Sequence, residues 1–204
     1  RQGYPVTVFE AAPEAGGLLR YGIPEYRLPK AILDGEISYL EELGVEIKTN
    51  SPVKHLSDVF NQGYKAVFLG VGAAGSPKLG IPGEDTEGVI HALEFLKRVN
   101  SGAEVKLGQR VAVIGGGNAA IDAASVAQRL VMGKAVNDSG ETVIDAASVA
   151  QRLGAKQVSI IYRRSRDEMP AISSEVEEAE REGVNFNLLA APVKILTNNG
   201  RISG

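Results

Sequence analysis

The clearest chemistry in this 204-residue chain lies in three consecutive glycines and what surrounds them, Gly115-Gly116-Gly117-Asn118-Ala119-Ala120. A β-branched, apolar run, Val111-Ala112-Val113-Ile114, leads into them, and a helix-forming run follows. This is G-x-G-x-x-A between a strand and a helix. In that setting Gly115 permits a sharp turn, Gly117 lets the backbone approach a pyrophosphate, and the small Ala120 lets the helix pack close to the strand. The N-terminus of the helix then offers unpaired N–H groups and the positive end of its dipole to the phosphates. The competing explanation is a plain tight turn. A second feature refines the reading. The run Val158-Ser159-Ile160-Ile161-Tyr162 ends in Arg163-Arg164-Ser165-Arg166, with no acid at the strand end. An acid there would bind an adenosine ribose hydroxyl, whereas arginine accommodates a 2′-phosphate. Bidentate guanidinium–phosphate pairing favours NADPH over NADH; an exposed basic turn is the alternative.

Two further segments bear on ligands. Gly70-Val71-Gly72-Ala73-Ala74-Gly75 also fits G-x-G-x-x-G and follows an apolar run, Ala66 to Leu69. Ser76-Pro77 comes next, and proline prevents the helix that a dinucleotide fingerprint needs. The segment around Gly72 therefore reads as a tight chain reversal near a ligand or a domain seam. Near the start, Val6-Thr7-Val8-Phe9 ends in Glu10. Glu10 is placed either as the ribose-binding acid of a first nucleotide unit or as a solvent-exposed strand end. The run Ala15-Gly16-Gly17-Leu18-Leu19-Arg20-Tyr21-Gly22-Ile23-Pro24 forms a long structured loop, and such loops are often functional.

The elements that must position these residues alternate. Strands are expected at 6–10, 45–48, 65–69, 110–114, 157–162 and 184–189, with another at 193–196 before the turn Asn198-Asn199-Gly200. Helices are expected at 30–43, 89–99 and 173–182, and from the glycine loop onward. The alternation predicts an α/β fold of Rossmann-like dinucleotide-binding domains with parallel sheets, both incomplete. The polar stretch 102–109 divides the chain into 1–103 and 104–204. The acidic helix 173–182 reads as a solvated surface and nothing more.

Ile121-Asp122-Ala123-Ala124-Ser125-Val126-Ala127-Gln128-Arg129-Leu130 recurs unchanged as Ile144 to Leu153, 23 residues later. One repeat is too few for a solenoid, so this is a tandem duplication of one helix. The first copy, next to the glycine loop, is expected to dock; the second is an added, partly surface helix. From Ala120 to Arg163 is 43 positions, and removing the 23 duplicated ones leaves 20, the usual reach from the glycines to the ribose-reading position. The repeat, about 131–153, is thus most simply an insertion.

Composition narrows the rest. Hydrophobic residues make up 44% and charged residues 23%, as in ordinary globular cores, which excludes a disordered tail or a coiled coil. The net charge of −3 gives no argument for nucleic-acid binding. No apolar run approaches membrane-spanning length. Cysteine is absent, so iron–sulfur clusters, disulfides and thiolate zinc sites have no ligands here, and His55 and His91 fit no metal spacing. Glycine, 24 residues, is in excess, as expected where backbone turns tightly against ligands. The chain opens without an initiator Met, and an internal piece of a longer protein is expected.

Together the stretches VTVFEAAPEAGGLLRYGIPEYRLPK, KAVFLGVGAAGSPKLGIPGED, VAVIGGGNAAIDAA and VSIIYRRSRDEMPA resemble the small (beta) subunit of glutamate synthase and its relatives. These are FAD-containing, NAD(P)H-dependent oxidoreductases with two dinucleotide-binding domains. The resemblance implies that Glu10, Gly17 and Leu18 contact FAD, that Arg27 and Val53 lie near it, and that Gly115, Gly117, Asn118, Ala120, Arg163 and Arg164 serve NADPH. It implies hydride transfer from NADPH to FAD, with electrons passing on to a larger electron-accepting subunit or an iron–sulfur protein. No side chain acts as an essential acid or base in that step. A cytoplasmic protein binding neither nucleic acid nor membrane is expected. The motifs would also suit a ferredoxin–NADP reductase-like or electron-bifurcating subunit, or an inactive nucleotide-binding fragment. The family's first FAD glycine loop, its closing strands and its cysteine-rich iron–sulfur region are not in this sequence, and the duplicated helix is not part of the family pattern.

Overall fold

A computed structural model describes residues 3–73, 75, 77–133 and 157–203. The second copy of the repeat, Ile144 to Leu153, lies outside the described residues, as do Ala74 of the Gly70–Gly75 segment and Ser76 just after it. The chain runs β1 (Val6–Phe9), α1 (Gly17–Tyr21), α2 (Lys30–Glu42), β2 (Val45–Lys48), α3 (Leu56–Phe60), α4 (Ala92–Asn100), β3 (Arg110–Ile114), α5 (Asn118–Val131) and β4 (Gln157–Tyr162). A 3₁₀ turn (Arg166–Glu168), α6 (Ser173–Arg181), β5 (Asn185–Leu188) and a two-residue hairpin, β6 (Thr197–Asn198) with β7 (Arg201–Ile202), complete it.

Two parallel sheets form. In the first half β1 pairs with β2, Val6 opposite Val45 and Phe9 opposite Lys48. In the second, the order is β3-β4-β5, all parallel, with Val113 opposite Ile160 and Ile160 opposite Phe186. Helical crossovers join the strands, as parallel pairing requires. The main core belongs to this second sheet. Val158, Ile160 and Tyr162 alternate inward from β4 and meet Ile121, Ala124, Val126 and Ala127 of α5. Five alanines in α5 favour the helix and keep its surface narrow. Sheet, α4 and α6 can then all close on it, and every residue from Ala120 to Gln128 is buried. Phe95 and Leu96 of α4 complete the cluster. Burying each large aliphatic side chain contributes about 1.5–3 kcal/mol. The first half is thinner: α2 buries only Leu33 and leaves Ile32, Tyr39, Leu40 and Leu43 exposed.

The strand expected at 65–69 does not form. No strand pairs with it among the described residues, and Phe68 is 94% exposed. Apolar, β-branched composition supplies a strand face but not the neighbour whose hydrogen bonds define a strand. The strand expected at 193–196 is displaced by a few residues into the hairpin. Asn199 and Gly200 both take positive φ there (50° and 75°), as a primed two-residue turn demands. The helix expected from Val89 begins at Ala92, because Val89 is used in a turn to Thr86 and His91 is extended. The loop 15–24 contains the short helix α1.

Candidate functional site

The glycine loop forms where β3 ends. Gly115 extends the ladder, its N–H donating to the Ile161 carbonyl at 3.0 Å, and its φ of +137° suits glycine alone. A Cβ on Gly115 would lie 3.2 Å from the Ala120 Cβ, so the small Ala120 is what lets the helix close on the strand. Gly116 is buried against Tyr162: an added Cβ would sit 2.6 and 2.7 Å from two ring carbons. Gly117 caps α5 in ordinary extended conformation (φ −90°, ψ 170°), and its carbonyl accepts from the N–H groups of Ala120 and Ile121. A Cβ at Gly117 would meet nothing nearer than Pro170 Cγ at 4.0 Å. The N–H groups of Asn118 and Ala119 find no acceptor among the described residues. Open space at Gly117 next to unpaired amides at a helix N-terminus suits an anion.

The arginines at the end of β4 divide into two groups. Arg166 is engaged: it makes a fork to Glu180 at 3.1 and 2.9 Å, and its guanidinium lies 5.9 Å from the Phe186 ring centre. Arg163 and Arg164 are exposed, and their side chains make no hydrogen bond or ion pair with the described residues. Arg164 nevertheless acts at a distance on Glu168, whose carboxyl is held low chiefly by hydrogen bonds from the Ser165 hydroxyl and N–H. That Ser165–Glu168 capping box shapes the turn, and Tyr162 Oη donates to the Glu168 carbonyl at 2.7 Å. The chain then passes back over the glycine loop. Ala171 N–H donates to the Gly116 carbonyl at 3.2 Å and Ile172 N–H to Asn118 Oδ1 at 3.0 Å. Tyr162 and this strap thus fix the arginines' turn against the loop. Gly115, Gly117, Asn118, Ala120, Arg163 and Arg164 therefore share one end of the β3–β4 pair.

The residues expected to meet FAD lie in the first half. Glu10 follows β1, and its Oε1 accepts the Ala12 N–H at 2.8 Å. The Glu10 carbonyl accepts from Ser51, which brings the exposed Val53 into the same neighbourhood. Gly16 and Gly17 have φ of +123° and +52°, and a Cβ on Gly17 would meet nothing within 4 Å. Gly16 is closed off by Leu33 and Arg20, and Arg20 is buried on Asp34 and the Ala15 carbonyl. Leu18, in the first turn of α1, is 44% exposed. Gly72 has φ +70° and is exposed, and a Cβ there would meet nothing within 4 Å.

Arg27 does more than lie near this region. It reaches across the molecule and pairs with Asp122 of α5 and Glu175 of α6. Burial pushes both carboxyls up, and the guanidinium opposes that push. Beside it, the Tyr26 ring lies 3.5 Å from the guanidinium carbon of Arg129, which pairs with Glu182 at 2.5 Å. Burial, then the Asp122 carboxylate, pushes the Tyr26 hydroxyl up to about 12. Helix 173–182 is therefore not merely solvated: the Glu175 and Glu182 side chains are 17% and 16% exposed and each holds an arginine. The reading from sequence missed Tyr26, Asp122, Arg129, Glu175 and Glu182. One signal was available: Asp122, Ser125 and Arg129 are polar positions at helical spacing in a helix otherwise apolar enough to be buried all round.

Fold and site thus define a class, an α/β protein with two parallel nucleotide-type units and a glycine loop at a helix N-terminus. Within that class, the chain belongs to the pyridine nucleotide-disulphide oxidoreductase family, which matches residues 3–203. It is 41% identical over 208 residues to the NADP(+)-dependent formate dehydrogenase subunit beta of Moorella thermoacetica, covering all of this chain and 26% of that protein. It is 34% identical over 219 residues to the glutamate synthase [NADPH] small chain of Escherichia coli, covering all of this chain and 41% of the relative. The chain thus spans well under half the length of these curated relatives. Among solved structures, Mycobacterium tuberculosis FprA in complex with NADPH superposes with a TM-score of 0.73 over 97% of this chain and 55% of that one. At 22% identity this establishes the fold. The expected cofactor pair, FAD and NADPH, is in keeping with this family. The open glycine at 117 and two unpaired arginines fit a phosphorylated dinucleotide, and the open Gly17 fits a second ligand in the first half. With no cysteine in the chain, the disulphide part of the family description has no residue here. No helix among the described residues is long and apolar enough to cross a membrane.

Proposed function

We propose that this chain is the cofactor-holding part of an electron-transfer subunit that takes hydride from NADPH onto FAD and hands electrons to a partner. When bound, NADPH supplies the hydride and FAD accepts it; the protein orients the pair. Residues 104–204 form the NADPH portion. There the Gly115–Gly117 backbone and the amides of Asn118 and Ala119 hold the pyrophosphate, Ala120 keeps α5 close, and Arg163 and Arg164 clasp the 2′-phosphate. Residues 1–103 form the FAD portion, with Glu10 on the ribose and Gly17, Leu18, Arg27, Val53 and Gly72 along the cofactor. The observation that carries this reading is the division of the three arginines: Arg166 is tied to Glu180, while Arg163 and Arg164 stand free beside the glycine loop.

A glutamate-forming partner is the acceptor that the resemblance suggests. The higher identity to a formate dehydrogenase subunit favours a second, an acceptor within a dehydrogenase complex. The chain's own task is the same with either, and we place the parent protein in the cytoplasm. The test is Arg163→Ala with Arg164→Ala, Arg166→Ala as control, and nucleotide affinity read by titration. The pair is expected to weaken NADPH by on the order of 100-fold, from two charge-assisted phosphate contacts, and NADH little. Arg166→Ala should change neither. Equal losses for both nucleotides would remove the 2′-phosphate role. A purified chain that takes up no flavin colour yet binds NADPH would favour an inactive nucleotide-binding piece.

A further inference from the structure

The segment Tyr26-Arg27 leaves the first half and inserts between two helices of the second. Its partners on α5 are Asp122, Ser125 and Arg129, spaced i, i+3 and i+7, and so form one stripe along the helix. Across from them, Glu175 of α6 and Glu182, the residue that caps its C-terminus, make a second stripe at i and i+7. Arg27 closes one end of this seam and the Tyr26–Arg129 stack closes the other. The two ends are about 10 Å apart along α5, at 1.5 Å per residue. The halves also meet where Phe95 and Leu96 of α4 join the α5 core; the two ends of the seam add contacts far enough apart to resist rotation about that packing. The seam is also poorly suited to a purely stabilising role. Arg129 Nε, Glu175 Oε2 and Glu182 Oε2 are buried without a partner among the described residues, and buried ionic groups are weak stabilisers that serve better to specify one arrangement.

We propose that Tyr26 and Arg129 are positioning residues, whose stack, with Arg27 at the far end of the seam, locks the α5–α6 layer at one angle to the flavin-side loop and so places the nicotinamide against the flavin. The kinetic consequence rests on the function proposed above; the locked angle does not. Since α5 also carries the glycine loop at its N-terminus, an angular error at Arg129 is transmitted to the nucleotide. A misplacement of about 1 Å can cost on the order of 100-fold in rate.

The absence of cysteine allows the angle to be read directly. Ser57→Cys on α3 and Glu177→Cys on α6, both exposed, would carry spin labels for pulsed distance measurement on the full chain. The parent sequence should give one narrow distance. Arg129→Leu and Tyr26→Leu should each replace it with a broad or multiple distribution, whereas Tyr26→Phe, which keeps the ring, should leave it narrow. Arg129→Gln is the variant to use if the leucine variants do not fold, and it should also broaden the distance. With FAD and NADPH present, Arg129→Leu should keep NADPH affinity within about twofold while flavin reduction slows by on the order of 10-fold or more. An unchanged narrow distance in the Arg129 and Tyr26→Leu variants overturns the proposal. Parallel losses of affinity and rate would also overturn it, since the pair would then act in binding. If the parent chain's flavin is not reduced by NADPH, the functional reading fails and the label distances still decide the lock.

Discussion

Gly116 and Gly117 are adjacent and chemically identical, yet they should fail differently when each is given one methyl group. At Gly117 the backbone is in a region open to any residue, and the nearest atom to a new Cβ is 4.0 Å away. Losing a glycine N-cap costs about 0.5–1 kcal/mol, and the reduced freedom of the unfolded chain returns about 0.4–1 kcal/mol. Gly117→Ala should therefore fold almost unchanged, with Tm moved by no more than about 2 °C. At Gly116 the methyl would enter the Tyr162 ring at 2.6 Å, and Tyr162 is itself held by its bond to the Glu168 carbonyl. Overpacking of that kind costs about 1–3 kcal/mol, a Tm loss of roughly 2–12 °C in a chain of this length. If the open side of Gly117 is where a pyrophosphate approaches, Gly117→Ala should weaken NADPH by about tenfold or more, or 1.4 kcal/mol. Thermal melting and NADPH fluorescence titration on both variants make the comparison. A Gly117→Ala protein that melts normally and binds NADPH within about twofold of the parent would refute the reasoning, because the glycine would then serve only as a helix cap.

Two further outcomes follow from other parts of the fold. The Tyr26 hydroxyl is held up at about 12, against 10.0 for a free tyrosine. The folded state therefore keeps a proton that the unfolded chain loses, and the associated stability is complete below pH 10 and disappears as pH climbs toward 12. Tyr26→Phe should flatten the fall in urea midpoint across that window and delete the last tyrosinate absorbance step; an unaltered titration would mean that Tyr26 is not the buried phenol. Deleting residues 131–153 joins Leu130 to Gly154, three residues before β4, in place of the connection from residue 132 to 156. Loop closure alone would gain about 2 kcal/mol, which offsets the burial lost with Val131, about 1.5–3 kcal/mol. Tm should stay within about 4 °C of the parent with NADPH affinity intact, and a much larger fall would assign the duplicated segment to the core.

The second half was legible in the sequence because its signals were local. β3, the glycine loop, α5 and β4 each carry their instructions within a dozen residues: β-branched runs, an N-terminal glycine and an alanine-rich helix. Register follows from the alternation that buries Val158, Ile160 and Tyr162 on one face of β4. The segment 65–69 is apolar after Lys65 and still is not a strand, because pairing is a property of two segments and composition reports only one. The hairpin at 197–202 shows the converse. Asn199-Gly200 named the turn, and the turn then set the flanking pairs a few residues beyond the more apolar run.

For the site, residue type alone could not tell three nearby arginines apart. Arg163, Arg164 and Arg166 look equivalent as a basic cluster, but past the end of β4 the Ser165 capping box turns the chain so that Arg166 pairs with Glu180, while Arg163 and Arg164 stay exposed. The acids that decide this sit in the helix that looked like mere solvated charge. Glu180 holds Arg166, Glu175 fastens Arg27, and Glu182 fastens Arg129. An acidic helix beside a binding site for a polyanion would ordinarily repel its ligand. Here each of these three carboxylates is paired with a guanidinium, so the strongest cations left unpaired at that end are the two next to the glycine loop. For the proposed nucleotide site, the helix would act through what it neutralises, an effect that appears only when both members of every pair have been placed.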